Sequence, residues 1–497
     1  MSALFLTICN VFGQNSVLEL LPGSETLEYD QKTGIHRLKG NVNFTYQGNT
    51  MYCDSALYFQ KQNAVRAYGN VQVNKKDINL FCDSLYYNGT SRSAKLWGNV
   101  RVRDNEYKLT TDTLEYNAKN GQAYYLHGGK VEGIVSRETL TSKVGYFHPE
   151  TKNFFFSNNV KYRSSELQMD TDTLKYLYSN QKTFFEGPTV VKTQNAIIKC
   201  ESGWYDVKND AGFLRKKASI VKENESISAD TLIYQPKIGL SEGYGNVKYI
   251  DTLQKVEFSG NHAKSSDSLK YSFITGKAIA KKILANDTLY VHADTLYNYT
   301  DNSGQIKAYH GAKIFSSTFQ CISDSIVYTP DSNFMELYHS PVAWANLAQL
   351  KGDFIKVYLN DSTIKSALID QKASVVMEVE KGIYYNQIYG QEIKTAFLDN
   401  QVKTAYVNGN AMTISFPQDN QQKDSIQSIK RLGMNRLYSS QLRIDVDSNE
   451  ITGVNYINKP DGAFYPMDQL NEEEQFIPNF KWLEALRPKS LEDLFID

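Results

Sequence analysis

The sequence is poor in cysteine and histidine, which many catalytic and metal sites use. Its 497 residues include 5 cysteines and 7 histidines, and the histidines are scattered without the spacing of a metal site or a catalytic triad. We therefore expect no catalytic residue, no metal and no cofactor. The 54 Lys and Arg residues nearly balance the 55 Asp and Glu residues, so no overall basic charge favours nucleic-acid binding.

Long apolar runs are also missing. No stretch approaches the roughly 18 apolar residues that a membrane-spanning helix needs. Residues 4–14 resemble the apolar core and cleavage end of a secretion signal, although no basic segment precedes them; a short buried strand is the alternative. We predict that residues 1–14 are the remnant of a signal peptide and that the chain is a soluble extracytoplasmic protein.

What the sequence contains instead is a pattern repeated many times, of which Asp112-Thr113-Leu114-Glu115-Tyr116 is a clear copy. An acidic or small polar residue, here called the anchor, is followed in most copies by Ser or Thr, and the residues two and four positions after it are apolar or Tyr. Early anchors are 29 or 30 residues apart, a period typical of repeat architectures. The anchors are Glu25, Asp54, Asp83, Asp112, Ser142, Asp172, Asp230, Asp267, Asp294, Asp324 and Asp353.

A second feature follows the anchors at a regular phase. Gly-Asn-Val occurs at residues 40–42, 69–71, 98–100 and 245–247. Gly and Asn both tolerate positive φ, which a tight turn or a bulge requires. Each repeat is thus predicted to contain a strand, a turn and a second strand, and the chain to be an all-β solenoid.

Alternation within each copy predicts which side chains are buried, because every second residue of a strand points to the same face. We expect the residues two and four positions after the anchors to point inward. This inward column comprises Leu27, Tyr29, Tyr58, Leu85, Tyr87, Leu114, Tyr116, Val144, Tyr146, Leu174, Tyr176, Leu232, Tyr234, Leu269, Tyr271, Leu296, Ile326 and Tyr328.

The repeated Asp-[Ser/Thr]-Leu-x-Tyr pattern with intervening Gly-Asn-Val, from about residue 20 to residue 375, resembles the OstA/LptA family of lipopolysaccharide-transport proteins. The resemblance implies a V-shaped β-jellyroll, or "β-taco", in the periplasm, whose groove holds lipid A acyl chains. It implies that the inward column lines this groove and that lipopolysaccharide moves along it toward the outer membrane. The implied partners at the solenoid ends are other lipopolysaccharide-transport proteins, or a second copy paired end to end.

Two other interpretations remain open. If the two sheets close on each other, the inward column is an ordinary core and the protein is a structural scaffold or an adhesin. A polysaccharide-acting enzyme is the third interpretation. Its site would appear as charged residues that break the repeat on one face, whereas the anchor aspartates recur as turn formers.

The repeat defines four segments. After residues 1–14, residues 15–376 carry the regular repeat and residues 377–457 carry eroded copies. Residues 458–497 contain several prolines and an acidic run, and residues 479–486 are predicted to form a short amphipathic helix. We interpret this last segment as a cap for the final strand or as a docking segment for a partner.

Cys53 and Cys82 each precede an anchor aspartate, at a position where other copies have another small residue. Either the position accepts any small residue, or the two cysteines form a cross-repeat disulfide. A disulfide needs Cα atoms within about 7 Å. Two ladder steps, about 9.6 Å, would therefore exclude it.

Overall fold

The computed structural model describes residues 19–46, 49–75, 78–117, 120–135, 137–148, 153–177, 182–206, 209, 211–284, 287–299, 304–360, 363–398, 401–417, 431–447 and 450–496. Most of these residues lie in β-strands, which confirms the predicted all-β fold class. The predicted signal remnant, residues 1–14, lies outside the described residues. The chain divides into two compact units, residues 1–237 and residues 238–497, and this division falls within the segment 15–376.

Unit 1 contains eighteen strands among its described residues, and a 3₁₀ turn at Gln60–Gln62. Successive long strands pair antiparallel, and the anchors lie near the middle of even-numbered strands, so one repeat is two strands. The strands are β1 (Glu19–Leu20), β2 (Thr26–Asp30), β3 (Ile35–Tyr46), β4 (Asn49–Phe59), β5 (Ala64–Lys75), β6 (Ile78–Asn88), β7 (Ser93–Arg103), β8 (Tyr107–Asn117), β9 (Gln122–Tyr125), β10 (Gly129–Gly133), β11 (Thr139–Ser142), β12 (Val144–His148), β13 (Asn153–Arg163), β14 (Gln168–Leu177), β15 (Lys182–Lys192), β16 (Ile197–Asp206), β17 (Ala211–Val221) and β18 (Glu225–Gln235).

The anchor and the Gly-Asn pair belong to one structure, a β-bulge. Gly98 and Asn99 lie inside β7 at φ values of 75° and 49°, where the register between β7 and β8 shifts. The Asn99 side-chain amide donates to Asp83 Oδ2 of β6 at 2.9 Å, and Asn70 donates to Asp54 in the same way. The predicted turn between two strands is thus corrected: the Gly-Asn pair lies within a continuous strand and bends it, because a bulge inserts an extra residue into the ladder.

The line of bulges divides the sheet into two arms. The pre-anchor arm contains the residues before the anchors and those after the Gly-Asn pairs, and the post-anchor arm contains the rest of each strand. The division is clearest at β8, whose first half pairs with β10 and whose second half pairs with β9. β11 and β12 continue the two arms separately before both pair with β13.

Each arm buries one face, here called the inner face. Val102 and Leu109 of the pre-anchor arm and Leu85 and Leu114 of the post-anchor arm are each at most 1% exposed. Besides strands, the described part of unit 1 contains only short turns, so the inner face of each arm is covered by the other arm. At these strands the two arms are closed on each other, and the opposite face is called the outer face.

Unit 2 contains sixteen strands among its described residues and repeats the same two arms. β24 pairs with β26 in its first half and with β25 in its second half, and β32 pairs with β34 and β33 in the same way. The strands are β19 (Leu240–Asp251), β20 (Val256–Ser266), β21 (Tyr271–Ile283), β22 (Thr288–Tyr299), β23 (Ile306–Phe315), β24 (Phe319–Thr329), β25 (Phe334–Tyr338), β26 (Val342–Ala345), β27 (Ala348–Lys351), β28 (Phe354–Asn360), β29 (Thr363–Glu380), β30 (Tyr384–Leu398), β31 (Gln401–Ser415), β32 (Gly433–Asp447), β33 (Glu450–Ile457) and β34 (Asp461–Pro466). Further 3₁₀ turns are Pro236–Ile238, Met467–Gln469, Glu472–Gln475, Glu484–Leu486 and Glu492–Phe495.

After β34 the described chain contains short 3₁₀ turns and no α-helix. Within the predicted helix, residues 479–486, the structure has one short 3₁₀ turn, Glu484–Leu486. The carbonyl of Lys481 and the N–H of Leu483 bond instead to the side chain of Gln349 in β27. The helix prediction is wrong because so short a segment depends on tertiary contacts, and these hold it extended.

The four cysteines among the described residues are free. Cys53, Cys82, Cys200 and Cys321 are all buried without a disulfide. Cys53 lies in β4 and Cys82 in β6, with β5 between them, so they are two ladder steps apart and the disulfide is excluded. Burial raises the pKa of both thiols to about 12, and the position simply holds a small buried side chain.

Candidate functional site

Most of the inward column lies on the inner face, as the alternation predicts. Its buried members are Leu85, Tyr87, Leu114, Tyr116, Leu174, Leu232, Leu296 and Ile326. Its half-buried members in even-numbered strands are Tyr58, Tyr176, Tyr234 and Tyr328. Contact of these side chains with a lipid stays a prediction.

In the copy of the repeat at β12, the observed burial shows that the predicted inward face is wrong. Phe147 is 1% exposed, whereas Val144 and Tyr146, which precede it in β12 and alternate with the buried positions, are half-buried on the outer face. The anchor of this copy is Lys143, whose N–H donates to the bulge residue opposite, and not Ser142. A shift of one residue moves every side chain of a strand to the other face.

The copy at Asp267 is corrected for a different reason. Residues 267–270 form the hairpin turn between β20 and β21, so Leu269 is 52% exposed and Tyr271 begins the next strand. The anchor of this rung is Asn261, which lies against Gly276 of the neighbouring bulge. Asp followed by Ser also favours a turn, and here the turn forms.

The first copy is exposed. Leu27 and Tyr29 of β2 are 52% and 51% exposed. They begin the repeat, where β2 pairs with β3. The inner face therefore presents apolar surface at this first rung.

Further along unit 1, a cavity of about 880 Å³ opens between the arms. Leu140 and Met169 line it from the pre-anchor arm, and Phe156 and Leu174 line it from the post-anchor arm. All four side chains are at most 6% exposed and occupy inner-face positions of β11, β13 and β14. This volume lies within the range of roughly 300–1,000 Å³ that is usual for ligand pockets.

The two arms are closed at β8 and β12 and are separated at β14 and β16, as the residues near the end of the post-anchor arm show. Four positions after the anchor, Tyr116 in β8 and Phe147 in β12 are 3% and 1% exposed. At the same position, Tyr176 in β14 and Tyr205 in β16 are only half-buried and line the cavity. The cavity is therefore an opening between arms that are closed in the preceding strands.

Polar turns form the edge of the cavity on the pre-anchor arm. Ser164 Oγ accepts from the N–H of Leu167 at 3.1 Å, and Thr193 Oγ1 accepts from the N–H of Ala196 at 3.0 Å. Residues 164–167 and 193–195 line the cavity, so the same hydroxyl-closed turn recurs in two consecutive repeats. On the post-anchor side, Lys237 lines the cavity.

A carboxylate is held at this same edge. Tyr107 and Tyr162 donate their hydroxyl hydrogens to Glu138, at 3.1 Å and 3.3 Å, and all three residues line the cavity. Burial, and after it the Glu138 carboxylate, raise the pKa of both tyrosines, so both remain donors at neutral pH. The carboxylate is thereby fixed beside apolar lining.

The combination suits a ligand that is apolar at one end and polar at the other. Transfer of an alkyl chain from water to a position against Leu140, Phe156 and Leu174 is favourable by about 0.8 kcal/mol per CH₂. A polar head group would remain beside Glu138 and the hydroxyl-closed turns. Among the described residues, no group of three or more His, Cys, Asp or Glu side chains is arranged to hold a metal ion.

Sequence reasoning missed the pre-anchor lining. Tyr107 and Glu138 lie five positions before their anchors, and Leu140 and Met169 lie three positions before theirs. The same alternation that marks the inward column is visible at these positions. Extending it before each anchor would have predicted both walls of the cavity.

A two-strand repeat, a line of bulges and an apolar cavity with polar edges define a two-armed β-repeat protein with a site for an amphipathic ligand. Residues 19–172 match the model of a family described as OstA-like protein. This match covers less than a third of the chain, and it confirms the resemblance to the OstA/LptA family seen in the repeat. The matched segment includes Tyr107, Glu138, Leu140 and Phe156 of the cavity.

Sixteen chains of solved structures also match. One is the crystal structure of LptH, the LptA homologous periplasmic component of the conserved lipopolysaccharide transport device from Pseudomonas aeruginosa. It is 17% identical and covers 21% of this chain and 75% of that chain, with a TM-score of 0.19. No curated protein matches the sequence. Within the described part of the chain, no helix has the length and apolar character to cross a membrane.

Proposed function

We propose that this chain is a periplasmic carrier in lipopolysaccharide transport that binds lipid A acyl chains in the cavity of unit 1. The observation that carries the proposal is the cavity between the arms, in which the apolar side chains of Leu140, Phe156, Met169 and Leu174 lie beside polar lining residues. The OstA-like match over residues 19–172 supports the class. The periplasmic location and the movement toward the outer membrane follow from the family resemblance and from the secretion-like residues 4–14.

Within this proposal the inward column is the route of the acyl chains. Leu174 and Tyr176 line the open cavity and would contact lipid first. Leu85 and Leu114 lie where the arms are closed, so lipid reaches them after the arms separate. Because successive repeats present equivalent apolar positions, movement by one repeat changes the burial energy little.

A structural scaffold is the second candidate function. It is favoured by the closed part of unit 1, where Leu85 and Leu114 are each 1% exposed. A scaffold would bind no lipid at the cavity, and the two functions therefore differ in one measurable property.

The test is photo-crosslinking of the full chain to purified lipopolysaccharide, with p-benzoylphenylalanine at Leu174, at Leu114 or at Thr173. Leu174 should crosslink strongly, and Leu114, in the closed core, should crosslink weakly. Thr173 is the matched control, because it neighbours Leu174 in β14 but lies on the outer face. An excess of deacylated lipopolysaccharide should not compete if the acyl chains are what bind.

Equal crosslinking at Leu174 and Thr173 would remove the support for a cavity-bound lipid. Absence of crosslinking at Leu174 would favour the scaffold. Competition by the deacylated molecule would show that the sugar, and not the acyl chains, is recognised.

We further propose that the exposed first rung is where another lipopolysaccharide-transport protein, or a second copy, pairs with the chain. Leu20, Leu27 and Tyr29 present apolar surface there, and an exposed strand can accept another by strand addition. Leu27→Asp should weaken this association in a pull-down, whereas Leu253→Asp, at an exposed turn of unit 2, should not. Equal effects of both changes would argue against the first rung.

A further inference from the structure

The C-terminal segment of unit 2, residues 470–496, is here called the tail, and it crosses the strands on the outer face. Arg436 of β32 donates to the carbonyl of Glu474 at 2.5 Å. Further along, Gln387 of β30, Gln349 of β27 and Gln320 of β24 contact the tail in turn. The tail therefore runs back across the unit, perpendicular to its strands.

Two buried glutamines bind the tail with the same geometry. Gln387 Nε2 donates to the carbonyl of Gln475 at 2.7 Å, and Gln387 Oε1 accepts from the N–H of Ile477 at 3.0 Å. Gln349 Nε2 donates to the carbonyl of Lys481 at 2.8 Å, and Gln349 Oε1 accepts from the N–H of Leu483 at 2.7 Å. Both glutamines are 1% exposed. Each amide thus binds the main chain of residues two apart.

Apolar side chains of the tail fill the space around these glutamines. Phe480 and Trp482 pack on Tyr385, with ring centroids 5.2 Å and 5.4 Å apart. Ile477 is 3% exposed and belongs to a cluster with Val376 and other outer-face residues of β29 to β32. Aromatic anchors between main-chain hydrogen bonds are how extended peptides are commonly bound.

The residues beneath the tail form a straight row across six strands. They are directly opposite one another from strand to strand, on the face opposite inner-face residues such as Cys321. The row, here called the track, consists of Gln320, Trp344, Gln349, Val376, Gln387 and Ile414.

The tail can leave the track without breaking a strand ladder. The hydrogen bonds described above join the tail to side chains of the strands, not to the backbone of a neighbouring strand. The tail is joined to β34 by the short turn Met467–Gln469, which contains no buried residue. A segment attached by such a hinge is suited to exchange between identical chains.

We propose that the track is a peptide-binding surface whose partner in trans is the tail of a second copy of this chain. The tail is the segment that the track demonstrably fits, so the second copy is the partner that the geometry identifies. In a single chain the attached tail has a high effective concentration and occupies its own track. Binding of the tail to the track of a second copy is therefore expected to be detectable when the tail can no longer bind its own track.

The test is complementation between two full-length variants. The track variant, Gln349→Leu with Gln387→Leu, keeps an intact tail, and the tail variant, Phe480→Ala with Trp482→Ala, keeps an intact track. Each variant alone should expose its tail, so that trypsin cleaves after Lys481 about tenfold faster than in the unaltered chain. A 1:1 mixture should form a heterodimer by native mass spectrometry, in which cleavage of the track variant's tail slows again.

Both variants should keep the strand signal in circular dichroism, because their changes lie on the outer face and in the tail. If the mixture forms no heterodimer and both tails stay equally sensitive, the tail is a fixed part of unit 2 and the proposal is wrong. Unchanged cleavage in either variant alone would also overturn it, because the glutamine and aromatic contacts would then not hold the tail.

Discussion

Gln168 in unit 1 and Gln320 in unit 2 are the same residue at the same place in the repeat, four positions before the anchor. Gln168 is exposed, whereas Gln320 is 4% exposed and accepts a hydrogen bond from Arg487 of the tail at 2.8 Å. In unit 1, Asn79 and Lys108 occupy this position with polar side chains. The position in the repeat thus determines the face to which a side chain points. Whether that side chain is buried depends on whether another segment covers the face.

The inner face of unit 1 shows a similar difference over a shorter distance. Leu114 and Leu174 both lie two positions after an anchor. Leu114 is 1% exposed in the closed core, whereas Leu174 is 6% exposed and lines the cavity. Equivalent leucines can therefore serve as core in one rung and as a binding surface in another.

Alanine substitutions of these two leucines test the difference between closed core and cavity, and they should give the largest effects. Leu114→Ala should lower the free energy of unfolding of unit 1 by about 3 kcal/mol, because it leaves a cavity in a closed core. Leu174→Ala borders an existing cavity and should cost roughly 1–2 kcal/mol. Denaturant unfolding measures the stability, and lipopolysaccharide binding should fall for Leu174→Ala alone. A larger loss of binding for Leu114→Ala would reverse the assignment of closed core and site.

A buried arginine of unit 2 predicts the next largest effect. Arg431 is 6% exposed and donates to the carbonyls of Phe416 and Val379 at 2.9 Å and 2.8 Å. Arg431→Met should destabilise unit 2 by about 2–3 kcal/mol, because these buried acceptors lose a charged donor. Arg443→Met, an exposed arginine paired with Asp445, should leave thermal unfolding unchanged. Equal effects would show that the buried hydrogen bonds of Arg431 contribute little to stability.

The sequence predicts the repeat, the all-β class and the inner face of most copies. It does so because period-two alternation and the Gly-Asn pair are local properties of a strand and a bulge. It fails at Val144 and Tyr146, where a shift of one residue reverses the faces, and at Leu269, where Asp-Ser forms a turn. These errors arise where the same local sequence is compatible with two registers, or with both a strand and a turn.

The cavity and the tail are less predictable for a different reason. Whether the arms separate at Leu174 depends on packing between residues distant in sequence, and the alternation is the same at Leu114. The apolar residues of the tail, including Phe480 and Trp482, fit a helical pattern, but Gln349 holds that segment extended. The repeated glutamine four positions before an anchor was the available signal for the track.

The bulges allow a milder comparison between the units. A Cβ at Gly98 would lie 2.4 Å from Asp83 Oδ2, whereas Gly311, also at positive φ, has nothing within 4 Å of that position. Gly98→Ala should cost about 2 kcal/mol, from positive φ and the displaced carboxylate, and Gly311→Ala about 1 kcal/mol. Thermal unfolding of the two variants measures the difference. Equal losses would mean that the aspartate contact adds no stability to the bulge.

The smallest expected effect concerns the buried thiols. Burial raises the pKa of Cys200 from 9.0 to about 11 and that of Cys53 and Cys82 to about 12, and it raises the pKa of Cys321 further. A raised native pKa contributes stability below the unfolded value near 9. That contribution declines as pH rises toward the native value, because the unfolded chain then gains thiolate first.

At pH 9 the thiolate fraction in the native chain should therefore be highest for Cys200, lower for Cys53 and Cys82, and lowest for Cys321. A thiol reagent should modify the cysteines in the same order. Site-resolved mass spectrometry of the native and denatured chain measures the rates. All four should react at similar rates once the chain is unfolded. If Cys321 of unit 2 reacted as fast as Cys200 of unit 1 in the native chain, opening would be equally frequent in both units. The contrast between a unit with an open cavity and a unit covered by its tail would then not extend to their dynamics.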